Sequence, residues 1–250
     1  MRSLTRIRGA LAEFRRAGSI RHLSLPTGIC PLCGKTRFIV LKPDPYFVRC
    51  FKCKANATNL SIVKVIQQNV SALGNKLAYE MSTYGSTYNF LKVRCPQFIS
   101  SEFFPGHRSG EVVDGIRNED AQCLSFADES LDLITSNQVF EHVPDHAAAF
   151  KECWRTLRPE GCLIFTVPLN NNPQTEHVAV LEDGNIRWLS TPEFHASRST
   201  GPKTIPVFWR YSTADILERV RQGGFRHASI LEVTIIPQQV EPQKVIYAVK

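Results

Sequence analysis

The chain lacks any apolar run near the ~20 residues a membrane-spanning helix needs, and its basic start is not followed by a signal peptide's apolar core. It therefore reads as a soluble protein. It also lacks internal repeats and low-complexity tracts, which excludes solenoids and fibres. Charged residues make up only 21% of its 250 positions against 15 Phe, so a disordered or coiled-coil chain is excluded too. Acids are scarce where bases are plentiful. Residues 1–65 carry 13 Lys/Arg against Glu13 and Asp44 alone, a balance of +11, whereas residues 66–250 carry 17 against 21, a balance of −4. A mildly acidic body wears a strongly basic N-terminal piece, which suits an anionic partner or a solvated basic helix.

Eight cysteines are present, and their spacing matters more than their number. Cys30-Pro-Leu-Cys33-Gly34 and Cys50-Phe-Lys-Cys53 are two CxxC pairs with sixteen residues between the inner cysteines. That spacing is the zinc pattern of paired knuckles, each offering two thiolates from one tight turn. Four thiolates close a tetrahedron and leave no position for water, so a Zn2+ held there would be structural. A disulfide or redox pair is the alternative, although a thioredoxin-like motif has one CxxC. Reduced, metal-binding thiols point to a cytoplasmic location. Arg37–Leu41 and Tyr46–Arg49 read as two strands around Lys42-Pro43-Asp44-Pro45, completing a zinc ribbon. Cys95, Cys123, Cys153 and Cys162 read as buried bystanders. Ahead of the ribbon, Leu4, Ile7, Leu11 and Phe14 among five arginines predict a basic amphipathic helix, and residues 59–69 predict another helix.

From about residue 76 short apolar runs alternate with amphipathic stretches, the pattern of an α/β fold with a mostly parallel sheet and helices on both faces. Strands are expected at residues 76–80, 98–102, 113–118, 131–135 and 161–167, then at 226–233 and 244–249. Helices are expected near Tyr88–Leu91, Ala147–Leu157 and Thr213–Gln222. The last two strands follow one another without a helix, which places an antiparallel strand in the sheet. The division is therefore a basic helix and ribbon over residues 1–70 and an α/β domain over 71–250. Ligands in such sheets bind beyond the carboxyl ends of the strands, and Glu80, Glu102 and Asp120 all stand there. An acid ~20 residues past the first strand suits a ribose diol, a spacing that also fits a nicotinamide-dependent reductase.

The stretch Asp120-Ala-Gln-Cys-Leu-Ser-Phe through Ser136-Asn-Gln-Val-Phe-Glu-His142 resembles the middle of class I S-adenosylmethionine-dependent methyltransferases of the type 11 kind. The continuation Ala149–Pro168 does so as well. The resemblance implies a Rossmann-like sheet of seven strands with a reversed terminal hairpin. It implies that Glu102, with Phe103 beside it, binds the cofactor's ribose, and that Asp120 and Ala121 contact the adenine. Ser136 would face the methionine moiety. The family expects a glycine-rich turn after the first strand. Here the turn reads Glu80-Met-Ser-Thr-Tyr-Gly-Ser86, leaving Ser82 and Gly85 to shape it. His142, just past the fourth strand, is the candidate base for an alcohol or amine acceptor, or else packs a short helix. His177 and His195 lie in the long segment 169–211, expected to cover the site of a small-molecule or glycan acceptor. The alternative function is a non-catalytic zinc-ribbon binding module on a degenerate methyltransferase body.

Overall fold

In the computed structural model, which describes residues 23–197, 201–236 and 241–250, the CxxC knuckles shape the first sheet. Strands β1 (Thr27–Cys30), β2 (Gly34–Val40) and β3 (Val48–Cys50) pair antiparallel in that order. Gly34 leaves the first knuckle at φ +77°, a left-handed turn that side chains resist, although a Cβ there would meet open space. The expected second strand begins late, because Asp44 and Pro45 start a helical turn over Pro45–Phe47. The Asp44 carboxylate accepts from the Tyr46 N–H at 2.8 Å, and Pro45 supplies a pre-set φ. The basic helix expected over Leu4–Phe14 lies outside the described residues.

Helix α1 (Ala57–Asn69) starts where the Asn56 side chain accepts from the Asn59 N–H at 3.0 Å. Its residues 57–63 are all buried, so this is a core helix rather than a surface connector. The main sheet contains β4 (Leu77–Glu80), β5 (Gln97–Ser100), β8 (Leu131–Asn137), β9 (Leu157–Thr166), β17 (His227–Val233) and β18 (Gln243–Val249). Their order is β17-β18-β9-β8-β4-β5, with the four central and edge strands β9, β8, β4 and β5 parallel. β18 runs antiparallel to both β9 and β17, as the helix-free connection predicts.

Among the described residues the sheet has six strands where seven are expected. The run Val113–Asn118 folds back as the hairpin β6 (Val112–Val113) and β7 (Ile116–Arg117), because Asp114 and Gly115 both take positive φ, at 50° and 78°. A single parallel bridge, Glu102 to Asn118, marks the place of the missing strand.

Alternation along the strands sorts two cores. One face carries Leu133, Ile164 and Val245 against α1 and helix α2 (Ser86–Arg94). The other carries Tyr79, Ile134, Phe165 and Ile246 against α3 (His146–Thr156) and α4 (Ile216–Gln222). Ribbon residues Phe38 and Val48 belong to the first core, so the ribbon packs onto the same apolar mass as α1. Each such fully buried side chain contributes about 1.5–3 kcal/mol. Cys95, Cys153 and Cys162 are buried as expected, whereas Cys123 is exposed.

The segment after β9 is more ordered than its Pro- and Asn-rich sequence implies. It forms β10 (Leu169–Asn170), β11 (Glu176–His177) and β16 (Trp209–Ser212) in one small sheet. Two hairpins lie between, β12 (Ala179–Glu182) with β13 (Asn185–Trp188), and β14 (Phe194–Ser197) with β15 (Gly201–Pro206). Among the described residues no helix is long and apolar enough to cross a membrane.

Candidate active site

The carboxyl ends of β4, β5 and β8 open onto a cleft of about 1200 Å³. Its floor is the first loop. Glu80 ends β4 fully buried and accepts a hydrogen bond from the Thr135 hydroxyl of the neighbouring strand. Burial pushes its carboxyl up to about 8, the Thr135 hydroxyl pulling the other way and the Glu102 charge adding to the rise. Glu102, two residues past β5, ties the loop down. Its Oε1 accepts from the Thr83 N–H and the Thr83 hydroxyl, both at 2.7 Å, and from Ser82 Oγ at 3.5 Å.

Gly85 stands at φ +103° and leads into α2. A Cβ at this position would lie 3.0 Å from Asn59 Oδ1. That oxygen accepts from the N–H groups of Ser86 and Thr87, at 3.0 and 3.2 Å, and from the Thr87 hydroxyl. Asn59 thus caps α2 from a different helix. Tyr84 is 43% exposed and lines the cleft.

Opposite this floor, β8 ends at Asn137, and Gln138 follows in the left-handed region at φ +58°. Such a conformation is costly for a residue with a side chain and is kept where the surroundings enforce it. The Gln138 N–H donates to the Thr166 carbonyl at 2.9 Å. The turn sends Phe140–His142 into a short helical turn, followed by α3 with Asp145 as its N-cap. His142 Nδ1 lies 2.7 Å from the Pro206 carbonyl. A carbonyl only accepts, so Nδ1 carries the proton and Nε2 holds the lone pair. Burial pushes the His142 pKa down to about 4, the Pro206 carbonyl opposing the drop and the neighbouring His195 adding to it.

His195, on β14, brings its Nδ1 to 3.1 Å from His142 Nε2. Glu141 Oε1 is 3.8 Å from each of those two nitrogens. Glu141 is 1% exposed, and neither of its carboxylate oxygens has a hydrogen-bond partner. Burial pushes its carboxyl up to about 8.

The cleft gathers Glu80, Ser82, Gly85, Glu102 and His142 from the sequence reading, together with His195. Phe103, Asp120, Ala121 and Ser136 are not among its lining residues. Phe103 is largely exposed, the Asp120 carboxylate accepts from Gln122, and Ser136 Oγ is buried without a partner. Asn59, Thr83 and Glu141 carry no sequence signal that marks them as site residues. Asn59 acts across 27 residues of sequence, and no periodicity signals such a cap. The far wall belongs to the ribbon: Tyr46, Arg49 and Lys54 line the same cleft.

The four ribbon cysteines come together. Sγ–Sγ separations are 3.4 Å for Cys33–Cys50 and 3.7 Å for Cys30–Cys53, with all four sulfurs within 4.8 Å of one another. A tetrahedron with arms of ~2.3 Å has edges of ~3.8 Å, so the residues present fit a zinc ion.

The fold of the body has counterparts among known proteins. Residues 101–165 match the family described as Methyltransferase domain. The body has the fold of class I S-adenosylmethionine-dependent methyltransferases. A chain from the complex between the Haloferax volcanii Trm112 methyltransferase activator and a methyltransferase superposes with a TM-score of 0.50. It is 16% identical and covers 77% of this chain and 89% of its own length, a likeness of fold. Ubiquinone biosynthesis O-methyltransferase of Cereibacter sphaeroides is 30% identical over 125 residues, 50% of either chain. Malonyl-[acyl-carrier protein] O-methyltransferase of Methylococcus capsulatus is 44% identical over 64 residues, 26% of this chain and 23% of its own. The chain thus spans about half the length, or less, of these curated relatives.

Proposed function

We propose that this chain transfers the methyl group of S-adenosylmethionine to an oxygen of a small polar acceptor, a sugar among the candidates, held between the ribbon and the methyltransferase body. The observation that carries this reading is the shared cleft. Glu80, Ser82, Gly85 and Glu102 line one side of it, His142 and His195 another, and the ribbon's Tyr46, Arg49 and Lys54 a third. Both curated relatives named above are O-methyltransferases, which supports oxygen as the acceptor atom.

In this reading Glu102 offers Oε2 to the ribose hydroxyls, since Oε1 is engaged by Thr83. Ser82 and Gly85 bring backbone close to the methionine tail above Glu80. A zinc ion on Cys30, Cys33, Cys50 and Cys53 would fix the ribbon wall and supply no chemistry at the methyl group. The sulfonium is already activated, so alignment supplies much of the rate. An oxygen lone pair of the acceptor forms the new O–C bond as the C–S bond breaks. That electron pair stays on sulfur, giving S-adenosylhomocysteine, and the acceptor's proton is lost to water directly or through the unprotonated His142 Nε2.

Incubation with methyl-labelled S-adenosylmethionine and a panel of phenols, carboxylates, sugars and diols tests the proposal. Label in an O-methyl product, absent with heat-killed protein, is the expected result. No label transfer to any acceptor class, together with no S-adenosylhomocysteine binding, would favour the non-catalytic binding module.

A further inference from the structure

The group Glu141, His142 and His195 is not explained by packing. His142 keeps its outer nitrogen on the Pro206 carbonyl at 2.7 Å, and His195 keeps its outer nitrogen, Nε2, 3.5 Å from Glu193 Oε1. Glu193 is itself anchored, with its Oε2 2.6 Å from Arg210 Nε. The Pro206 carbonyl fixes the His142 proton on Nδ1, and the Glu193 carboxylate draws the His195 proton toward Nε2. With the His195 proton on Nε2 the two inner nitrogens face each other with lone pairs at 3.1 Å, and the buried carboxylate of Glu141, without a hydrogen-bond partner, stands 3.8 Å from both. Three electron-rich atoms pointed at one spot repel one another unless a positive charge lies between them.

We infer that Glu141, His142 and His195 bind a divalent transition-metal ion at the acceptor end of the cleft. The donor set is two imidazoles and one carboxylate, the chemistry of zinc, manganese, cobalt or ferrous iron sites with open positions. With bonds of ~2.1 Å, ligand atoms set at about 90–110° stand ~3.0–3.4 Å apart. The nitrogen pair meets that spacing, and the carboxylate reaches it with a shift of about half an ångström. The outer contacts to Pro206 and Glu193 are the supports that metal-binding histidines carry. His142 and His195 line the cleft while Glu141 lies behind them, so the ion's remaining positions face the acceptor. This role rests on the proposed methyl transfer: the ion would hold the acceptor's hydroxyl oxygen and ease loss of its proton to water, in place of the route through His142 Nε2, whose lone pair the ion takes. The binding itself does not depend on that.

The test is metal stoichiometry on the full chain. Wild type and His195→Ala are incubated separately with Zn2+, Mn2+ and Co2+, passed through gel filtration and analysed by mass spectrometry for bound metal. His195 sits on a partly exposed hairpin, so this variant tests the site without disturbing the core; Glu141→Gln is run beside it. Wild type should hold one equivalent more than either variant with at least one ion, whatever the ribbon holds, and affinity for that ion should fall at least tenfold in both. Equal stoichiometry in wild type and His195→Ala with all three ions overturns the inference and leaves a proton shared between the two rings as the explanation. Calorimetry with S-adenosylhomocysteine on the same samples separates the two ideas. Cofactor binding without the extra equivalent sinks the metal site alone, and the extra equivalent without cofactor binding sinks the methyltransferase reading alone.

Discussion

The two ends of the cleft hold buried carboxylates that the fold treats differently. At the β4–β5 end every acid has a donor: Thr135 for Glu80, and Thr83 with Ser82 for Glu102. At the β8 end Glu141 has none, and two imidazoles crowd it instead. A buried polar group is retained at a cost of about 1–3 kcal/mol unless something pairs with it. The β4–β5 end is therefore a cradle the protein has already shaped, whereas the β8 end has the donors of a site whose partner is a ligand.

The largest expected effect tests whether the ribbon wall is independent of the body. Phe38 and Val48 share a core with Leu60, Leu133 and Ile164, so Cys50→Ser or chelation should not melt the ribbon alone. Structural zinc sites contribute roughly 10 kcal/mol or more to folding. The expected outcome in calorimetric scans is a lower melting temperature for the whole chain. A separate early transition, with the body's melting unchanged, would mark the ribbon as a detachable unit.

Next comes Gly85→Val, which attacks the cradle. The substituted residue would have to hold φ +103° and press on Asn59 Oδ1 at 3.0 Å. Loss of the cap and distortion of the turn should weaken S-adenosylhomocysteine binding by at least about a hundredfold, roughly 2.7 kcal/mol. Unchanged affinity in a titration would show that the loop is not the cofactor site. Glu102→Ala should cost ~1.5–3 kcal/mol, about ten- to a hundredfold in affinity, because it removes a charged acceptor and releases Thr83. Glu102→Gln should cost less. Equal affinity for both variants and wild type would place the ribose elsewhere.

The smallest effect is a pH dependence. Burial raises the Glu80 carboxyl from 4.5 to about 8. A carboxyl raised in the folded state favours folding below its unfolded pKa, and that contribution is lost as pH rises from about 4.5 through 8. Replacement by Gln removes the charge but keeps an acceptor for Thr135. Between pH 6 and pH 8.5 the melting temperature of wild type should therefore fall several degrees further than that of Glu80→Gln. Parallel curves would mean that Glu80 is already ionised at pH 6.

How much of the molecule is legible in its sequence follows from where the information lies. Parallel strands, the reversed end of the sheet and the paired cysteines are written in local periodicity and spacing, and the observed elements match them closely. The expected third strand fails because its alternation hides the Asp114-Gly115 turn, two residues whose positive φ reverses the chain. Segment 169–211 reads as irregular because two-residue strands carry too little pattern to detect. In the site, Glu80, Glu102 and Gly85 are readable from strand ends and the family pattern. The Asn59 cap and the meeting of His195 with Glu141 are not, since each joins residues more than 25 positions apart through tertiary packing alone.

The central claim is that the strand ends around Glu80, Gly85 and Glu102 hold S-adenosylmethionine despite the single glycine. Calorimetric titration of S-adenosylhomocysteine into the full wild-type chain tests it most directly. One molecule bound per chain, with affinity lost in Gly85→Val, is the predicted result. No binding to a folded wild-type protein would contradict it.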